Sequence, residues 1–210
     1  MLKYSLVLLS VLVRTALTAE YVWGRCPTPT AMEDFDMAKF IGRWYVIEAF
    51  DKGEKCMTWT VSQKDSPDSW QIVEEKENGI FSAVGLAHAT FNTGTLTQPD
   101  KKNPANLRSF WPMSGIAGDG SFTVHTTDYD NYAGIFECQN VGLFRRQNGL
   151  VLSRTPVLRI DLKQMARILA PGIEVTSYSK VLQGNCKYRK NLERTDNIIV
   201  LKPGVAGHGH

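Results

Sequence analysis

No Asn-x-Ser/Thr triplet occurs in the 210 residues, so the chain offers no acceptor for an N-glycan. No two of its four cysteines stand in a C-x-x-C spacing, which argues against a zinc cluster. Histidine is scarce: there are four, and His208 and His210 lie in the last three residues. G-x-S-x-G, H-E-x-x-H and a phosphate loop are all missing, so the usual hydrolase, metalloprotease and nucleotide-binding signatures are excluded. Charge of one sign is missing too. The formal net charge is +3, and removing residues 1–19 takes away Lys3 and Arg14 and no acid, lowering it by two to +1. A nearly neutral chain lacks the footprint of a nucleic-acid binder. Beyond the N-terminus no apolar run is long enough to cross a bilayer as a helix.

What is present begins with a basic Lys3, an apolar run over 5–13 and a small-residue exit over 15–19, which read as a secretory signal. Arg14 interrupts the run, and its length is short for a membrane anchor. An exported chain with an even number of cysteines implies two disulfides, and four cysteines allow three connectivities. Pairing would leave no thiol free for catalysis. Residues 20–40, with Cys26-Pro27 and Phe35, read as an arm, in which Asp36 caps a short helical turn.

The stretch Gly42-Arg43-Trp44-Tyr45-Val46-Ile47 opens the first strand-like run, over 43–50. Further runs follow at 56–62, 70–76, 80–91, 107–111, 121–129, 132–140 and 150–155, separated by Gly, Pro, Asn or Asp. Glu77-Asn78-Gly79 reads as a hairpin turn, and Asn92-Thr93-Gly94 as the end of a strand or a bend in it. The period then changes. Leu158, Leu162, Met165, Ala166 and Leu169 make one stripe of an α-helix stopped by Pro171-Gly172, and a last strand covers 175–181. Eight meandering strands predict an all-β sandwich or an up-and-down barrel, and the single late helix favours the barrel. The organisation expected is a signal at 1–19, one barrel domain with its arm at 20–186 and a polar tail at 187–210.

The order Gly42-x-Trp44, Thr127-Asp128-Tyr129, Arg154, helix, last strand resembles the lipocalins. Within that family, Cys26-Pro27 ahead of Gly42-Arg43-Trp44-Tyr45 looks like the branch of apolipoprotein D and its insect relatives. The resemblance implies an eight-stranded antiparallel up-and-down barrel with one C-terminal flanking α-helix. It implies that Trp44 sits at the closed end under the guanidinium of Arg154, and that Thr127, Asp128 and Tyr129 form the turn beside it. These are structural positions. It also implies the disulfides Cys26–Cys138 and Cys56–Cys186.

Strand parity then proposes what lines the interior. If Arg154 points inward, so do Leu152 and Leu150. Met57, Trp59 and Val61 form one apolar face, Phe122 and Val124 another, and Phe136 points inward while Glu137 stays wet. His125, opposite Phe122 and Val124, reads as a solvated strand residue, and His88 has no Asp or Cys near it in sequence. His208-Gly-His210 could chelate copper or nickel, but a floppy tail is the simpler reading, so no metal and no cofactor are expected. The function implied is secreted carriage of a small hydrophobic molecule, of the fatty acid, sterol, retinoid or bilin class, with a receptor or peripheral membrane contact as a further partner. Two alternatives stand beside it: a barrel filled by its own side chains whose loops bind a partner, and a lipid- or pigment-modifying enzyme.

Overall fold

Aromatic and β-branched residues suit a pleated surface, and the run that carries most of them forms β2 (Gly42–Ala49). The structure, a computed structural model, describes residues 20–50, 53–77, 89–112, 118–160, 164–165, 168–169 and 175–188. The expected signal at 1–19, Asn78-Gly79, His88, Leu162, Ala166, Pro171-Gly172 and the two terminal histidines lie outside the described residues. Ahead of β2 come β1 (Glu20–Trp23) and the one-turn helix α1 (Met37–Phe40), capped by Asp36, whose side chain accepts from the Ala38 N–H. After it follow β3 (Thr58–Gln63), β4 (Ser69–Glu77), β5 (Ala89–Thr97), β6 (Asn106–Phe110), β7 (Gly120–Thr127), β8 (Tyr132–Val141), β9 (Phe144–Ser153) and β10 (Ser179–Lys180).

Each strand from β2 to β9 pairs antiparallel with the next. β9 then turns back onto β2, with Tyr45 opposite Ser153 and Val46 opposite Leu152, and closes an eight-stranded barrel. Closure leaves no raw sheet edge among these strands. The side chains pointing inward, among them Trp44, Val46, Trp59, Ile72, Leu96, Leu107, Phe122, Ile135 and Leu150, form one buried cluster.

Several expected boundaries moved. Of the run expected at 80–91, residues 80–88 lie outside the described residues and 89–91 open β5, with Asn92-Thr93-Gly94 inside that strand rather than at its end. Gly94 is there for access: a Cβ would stand 2.7 Å from Cε3 of Trp111. β9 starts at Phe144, six residues before the expected 150, because the polar stretch Arg145–Gln147 has ladder partners on both edges. One of them, β1, went unforeseen. It pairs Glu20 with Gln147 and Trp23 with Phe144, where β2 no longer reaches β9. The expected last strand at 175–181 divides into a 3₁₀ turn, Val175–Ser177, and the two-residue β10 on β2.

The disulfides are Cys26–Cys138 and Cys56–Cys186, and no described cysteine is free. The first ties the arm to β8, and the second ties the segment after β10 to the start of β3.

In the flanking segment the N–H of Leu169 donates to the carbonyl of Met165, one helical turn. Ile168 and Leu169 pack on Val151, with Ile47 and Tyr132 alongside. His125 is not solvated as expected. A bulge between Val124 and Thr126 turns its half-buried ring so that Nε2 meets the carbonyl of Ile168. Burial lowers its pKa, against a smaller upward pull from that carbonyl. Gly134 makes the approach possible, because a Cβ there would fall on the Ile168 carbonyl and the His125 ring. Gly134→Ala is expected to cost about 2–3 kcal/mol by overpacking, read as a lower urea midpoint at an unchanged m-value.

Candidate ligand-binding site

At the closed end one cation organises the chain. Cζ of Arg154 stands 3.7 Å from the centroid of the Trp44 ring. Its nitrogens donate to five backbone carbonyls: Nε to Tyr129, one terminal nitrogen to Arg43, and the other to Lys39, Phe40 and Ile41. The Trp44 indole N–H donates to Phe40 as well, at 2.9 Å. Gly42 fits beneath with φ +110°, a backbone that L residues rarely adopt, and an added Cβ would sit 3.1 Å from the guanidinium. The adjoining turn is held by side chains. Asp128 accepts from the N–H groups of Asn131 and Tyr132, and Thr127 Oγ1 donates to the carbonyl of Tyr132. Burial pushes the Asp128 carboxyl up, but these N–H donors outweigh it and hold it below the usual carboxylate range. Tyr129 Oη accepts from the Asp36 N–H and so pins the arm across the bottom.

Above this plug stands an apolar column. Met57, Trp59, Val61, Phe122, Val124, Leu150 and Leu152 all lie in the inner cluster, each at most 1% exposed. Phe136 does not. It is buried in a separate cluster outside the barrel with Phe50, Cys138 and the ring of Tyr178. The register explains the exchange: Phe122 stands opposite Glu137, and Thr123 opposite Phe136. Glu137 therefore faces inward, reversing the wet position expected for it. The disulfide carried the missing signal, since Cys138 must point outward to meet the arm, which turns Glu137 in.

At the other end of the column the lining becomes polar. The indole N–H of Trp59 donates to Glu74 at 3.1 Å, and that of Trp111 to Glu137 at 3.2 Å. The two rings lie 6.0 Å apart, and Trp59 also packs on Phe122. Arg146 shares the inward face of β9 with Asn148, Leu150 and Leu152. A cavity of about 20 Å³, room for roughly one water, is lined there by Ser109, Trp111, Glu137, Arg146 and Asn148 among others. None of Glu74, Glu137, Arg146 and Trp111 was proposed as a site residue from the sequence, where Glu137 was expected to be wet. Burial raises the Glu137 pKa from its ordinary 4.5 to about 7, with Glu74 adding to the rise and Trp111, Arg146 and Ser109 opposing it. Glu74 is raised as well, by burial first, against Lys76, Trp59 and Arg146.

That shift makes a stability prediction. Between pH 4.5 and 7 the folded chain holds a proton on Glu137 that the unfolded chain has released, so stability falls as pH rises through this window. The loss is at most about 3 kcal/mol. Glu137→Gln should therefore stabilise the protein at pH 8 and give no such gain at pH 4. Urea unfolding at the two pH values checks this.

A closed antiparallel barrel, plugged at one end by a Trp–Arg pair and apolar within, is the architecture of a calyx-type binding protein. Among known proteins the chain is 30% identical to apolipoprotein D of Bos taurus over 170 residues, spanning 78% of this chain and 85% of the relative. It is 29% identical to apolipoprotein D of Mus musculus, over 85% of this chain and 93% of that protein. Retinol-binding protein 4-A of Oncorhynchus mykiss matches at 26% over 53% of the chain and 65% of the relative. Solved structures that share the fold include lobster apocrustacyanin A1, with a TM-score of 0.56 at 18% identity over 78% of this chain and 91% of the other. Insecticyanin from the tobacco hornworm, Manduca sexta, gives 0.55 at 17% identity over 78% and 88%. No family model matches the sequence. The chain belongs to the lipocalin family.

Proposed function

We propose that the protein is a secreted carrier that binds one small hydrophobic molecule in its barrel and neither makes nor breaks a bond in it. The observation that carries this reading is the polarity of the interior. An apolar column is sealed at the Trp44 end and meets the buried carboxylates of Glu74 and Glu137 at the other, which suits an amphiphile entering from one side. Taking a ligand's apolar surface out of water supplies about 25 cal/mol per Å². Membership of the lipocalins supports it, as does the likeness to a protein named for binding retinol. Residues 1–19 are the signal, 20–186 the binding domain and 187–210 a tail. Two disulfides fit an oxidising compartment. The cargo belongs to the fatty acid, sterol, retinoid or bilin class or one of similar size.

One observation favours the second reading, a filled barrel that binds a partner: Trp59, Phe122 and Met57 already pack the column, each at most 1% exposed. The native mass of the secreted protein, before and after organic extraction, separates the two, with mass spectrometry and a visible spectrum of the extract. Reproducible loss of one small molecule supports the carrier. An unchanged mass, with no uptake from a panel of lipids, rejects it in favour of the filled barrel.

A further inference from the structure

We infer that the mouth of the barrel takes an apolar molecule bearing an amine, its ammonium between Glu74 and Glu137 and its apolar body against Tyr21, Trp23 and Phe144. This rests on the carrier reading and names the chemistry of the cargo.

Charge is the first argument. The carboxylates of Glu74 and Glu137 face the same interior as the guanidinium of Arg146, and Glu74 lies close enough to raise the proton affinity of Glu137. Among the described residues, Lys76 and Glu54, which also act on Glu74, are paired with each other at 3.0 Å. A ligand carboxylate would add a third negative charge to this space, whereas an ammonium offsets the second. Trp59 and Trp111 already spend their N–H groups on the two carboxylates, so neither indole has a donor left for a ligand acceptor.

The lip is the second and independent argument. Directly paired residues of an antiparallel ladder share a face. Tyr21 pairs with Arg146 and Trp23 with Phe144, and Phe144 and Arg146 are on the inward face of β9. Tyr21, Trp23 and Phe144 therefore stand on the mouth side of the sheet, yet they are 46%, 65% and 45% exposed. Trp23 and Phe144 meet edge to face at 5.0 Å, one apolar surface open to solvent above the buried carboxylates. Beneath them Trp59 and Phe122 close the column, so the polar group stops at the level of Glu74 and Glu137, beside the cavity, while the body stays at the lip. Holding the two indoles in place would need only a neutral acceptor. Two carboxylates are more than that role requires.

The test titrates the full secreted chain at pH 8 with dodecylamine, dodecanol and dodecanoate, below their micellar concentrations, by calorimetry. Dodecylamine is expected to bind at least tenfold more tightly than dodecanoate. Glu74→Gln and Glu137→Gln should each shrink that ratio, while Glu137→Asp keeps it. Dodecanoate binding as tightly as the amine in the unaltered protein overturns the inference, as does a ratio unchanged in both glutamine variants. Equal uptake of all three leaves the carrier reading standing and removes this one. Uptake of none, with no extractable molecule, removes both.

Discussion

Arg154→Met is expected to lower the unfolding free energy by about 3–5 kcal/mol, among the larger effects available to a single substitution in this chain. The reason lies in the number of groups that depend on the guanidinium. Removing it takes the cation from the face of Trp44, about 0.5–2 kcal/mol when partly dry. It also strips a charged donor from the carbonyls of Lys39, Phe40, Ile41, Arg43 and Tyr129, which belong to the end of the arm, the start of β2 and the β7–β8 turn. Methionine fills much of the volume and satisfies none of them. Arg154→Lys should recover less than half of the loss, because one ammonium cannot reach acceptors spread around a planar fork. Urea unfolding followed by circular dichroism measures both. A methionine variant within 1 kcal/mol of the parent would show that the arm and the β7–β8 turn at the closed end hold without this residue.

The double variant Cys56→Ser, Cys186→Ser is expected to lose up to about 4–5 kcal/mol, the chain-entropy value for so long a loop, with 2–4 kcal/mol the commoner outcome for a native bridge. The cysteines are 130 residues apart, against 112 for Cys26 and Cys138, so the two bridges should rank close together in entropy. They should differ in what comes loose. Beyond β10 the chain is held by a bridge between Leu182 and Lys55, by Gln183 donating to the carbonyls of Val46 and Met57, and by Tyr188 packed on Tyr45 at 5.0 Å. Releasing Cys186 weakens all of these at once. Hydrogen exchange should then rise at 181–188 and at the first residues of β3, with β8 unaffected. Loss of Cys26–Cys138 should instead loosen the arm. Equal exchange in both double variants would sink the distinction.

Much of this architecture could be read from the chain because its signals are local. Gly42-x-Trp44 reports a backbone that only glycine adopts easily beside a ring that must be buried. The alternation Met57-Thr58-Trp59-Thr60-Val61 reports a strand with one dry face. Ile135-Phe136-Glu137-Cys138 reports no such thing, because both of its faces are covered, one by the barrel interior and the other by Phe50 and Tyr178. When both sides of a strand are dry, hydrophobicity carries no parity, and Glu137 was placed on the wrong side. His125 failed differently: a single extra residue in β7 turned it, and a bulge leaves little trace in composition. Gly94 was taken as punctuation when its role is to let Trp111 approach. Glu74 sits in a stretch so polar that it reads as a solvated strand end, and Arg146 in a polar stretch where no strand was expected, although both face the interior.

The distribution of the five tryptophans gives the molecule an optical readout of its own mouth. Trp44, Trp59, Trp70 and Trp111 are each no more than 8% exposed, while Trp23 at the lip is 65% exposed. The emission of the intact protein is therefore a sum of four shielded emitters and one in contact with water. A soluble collisional quencher such as iodide should extinguish the red-shifted part and leave the rest. A molecule settling into the mouth would cover that one emitter first, so the quenchable fraction of the light would fall in step with occupancy.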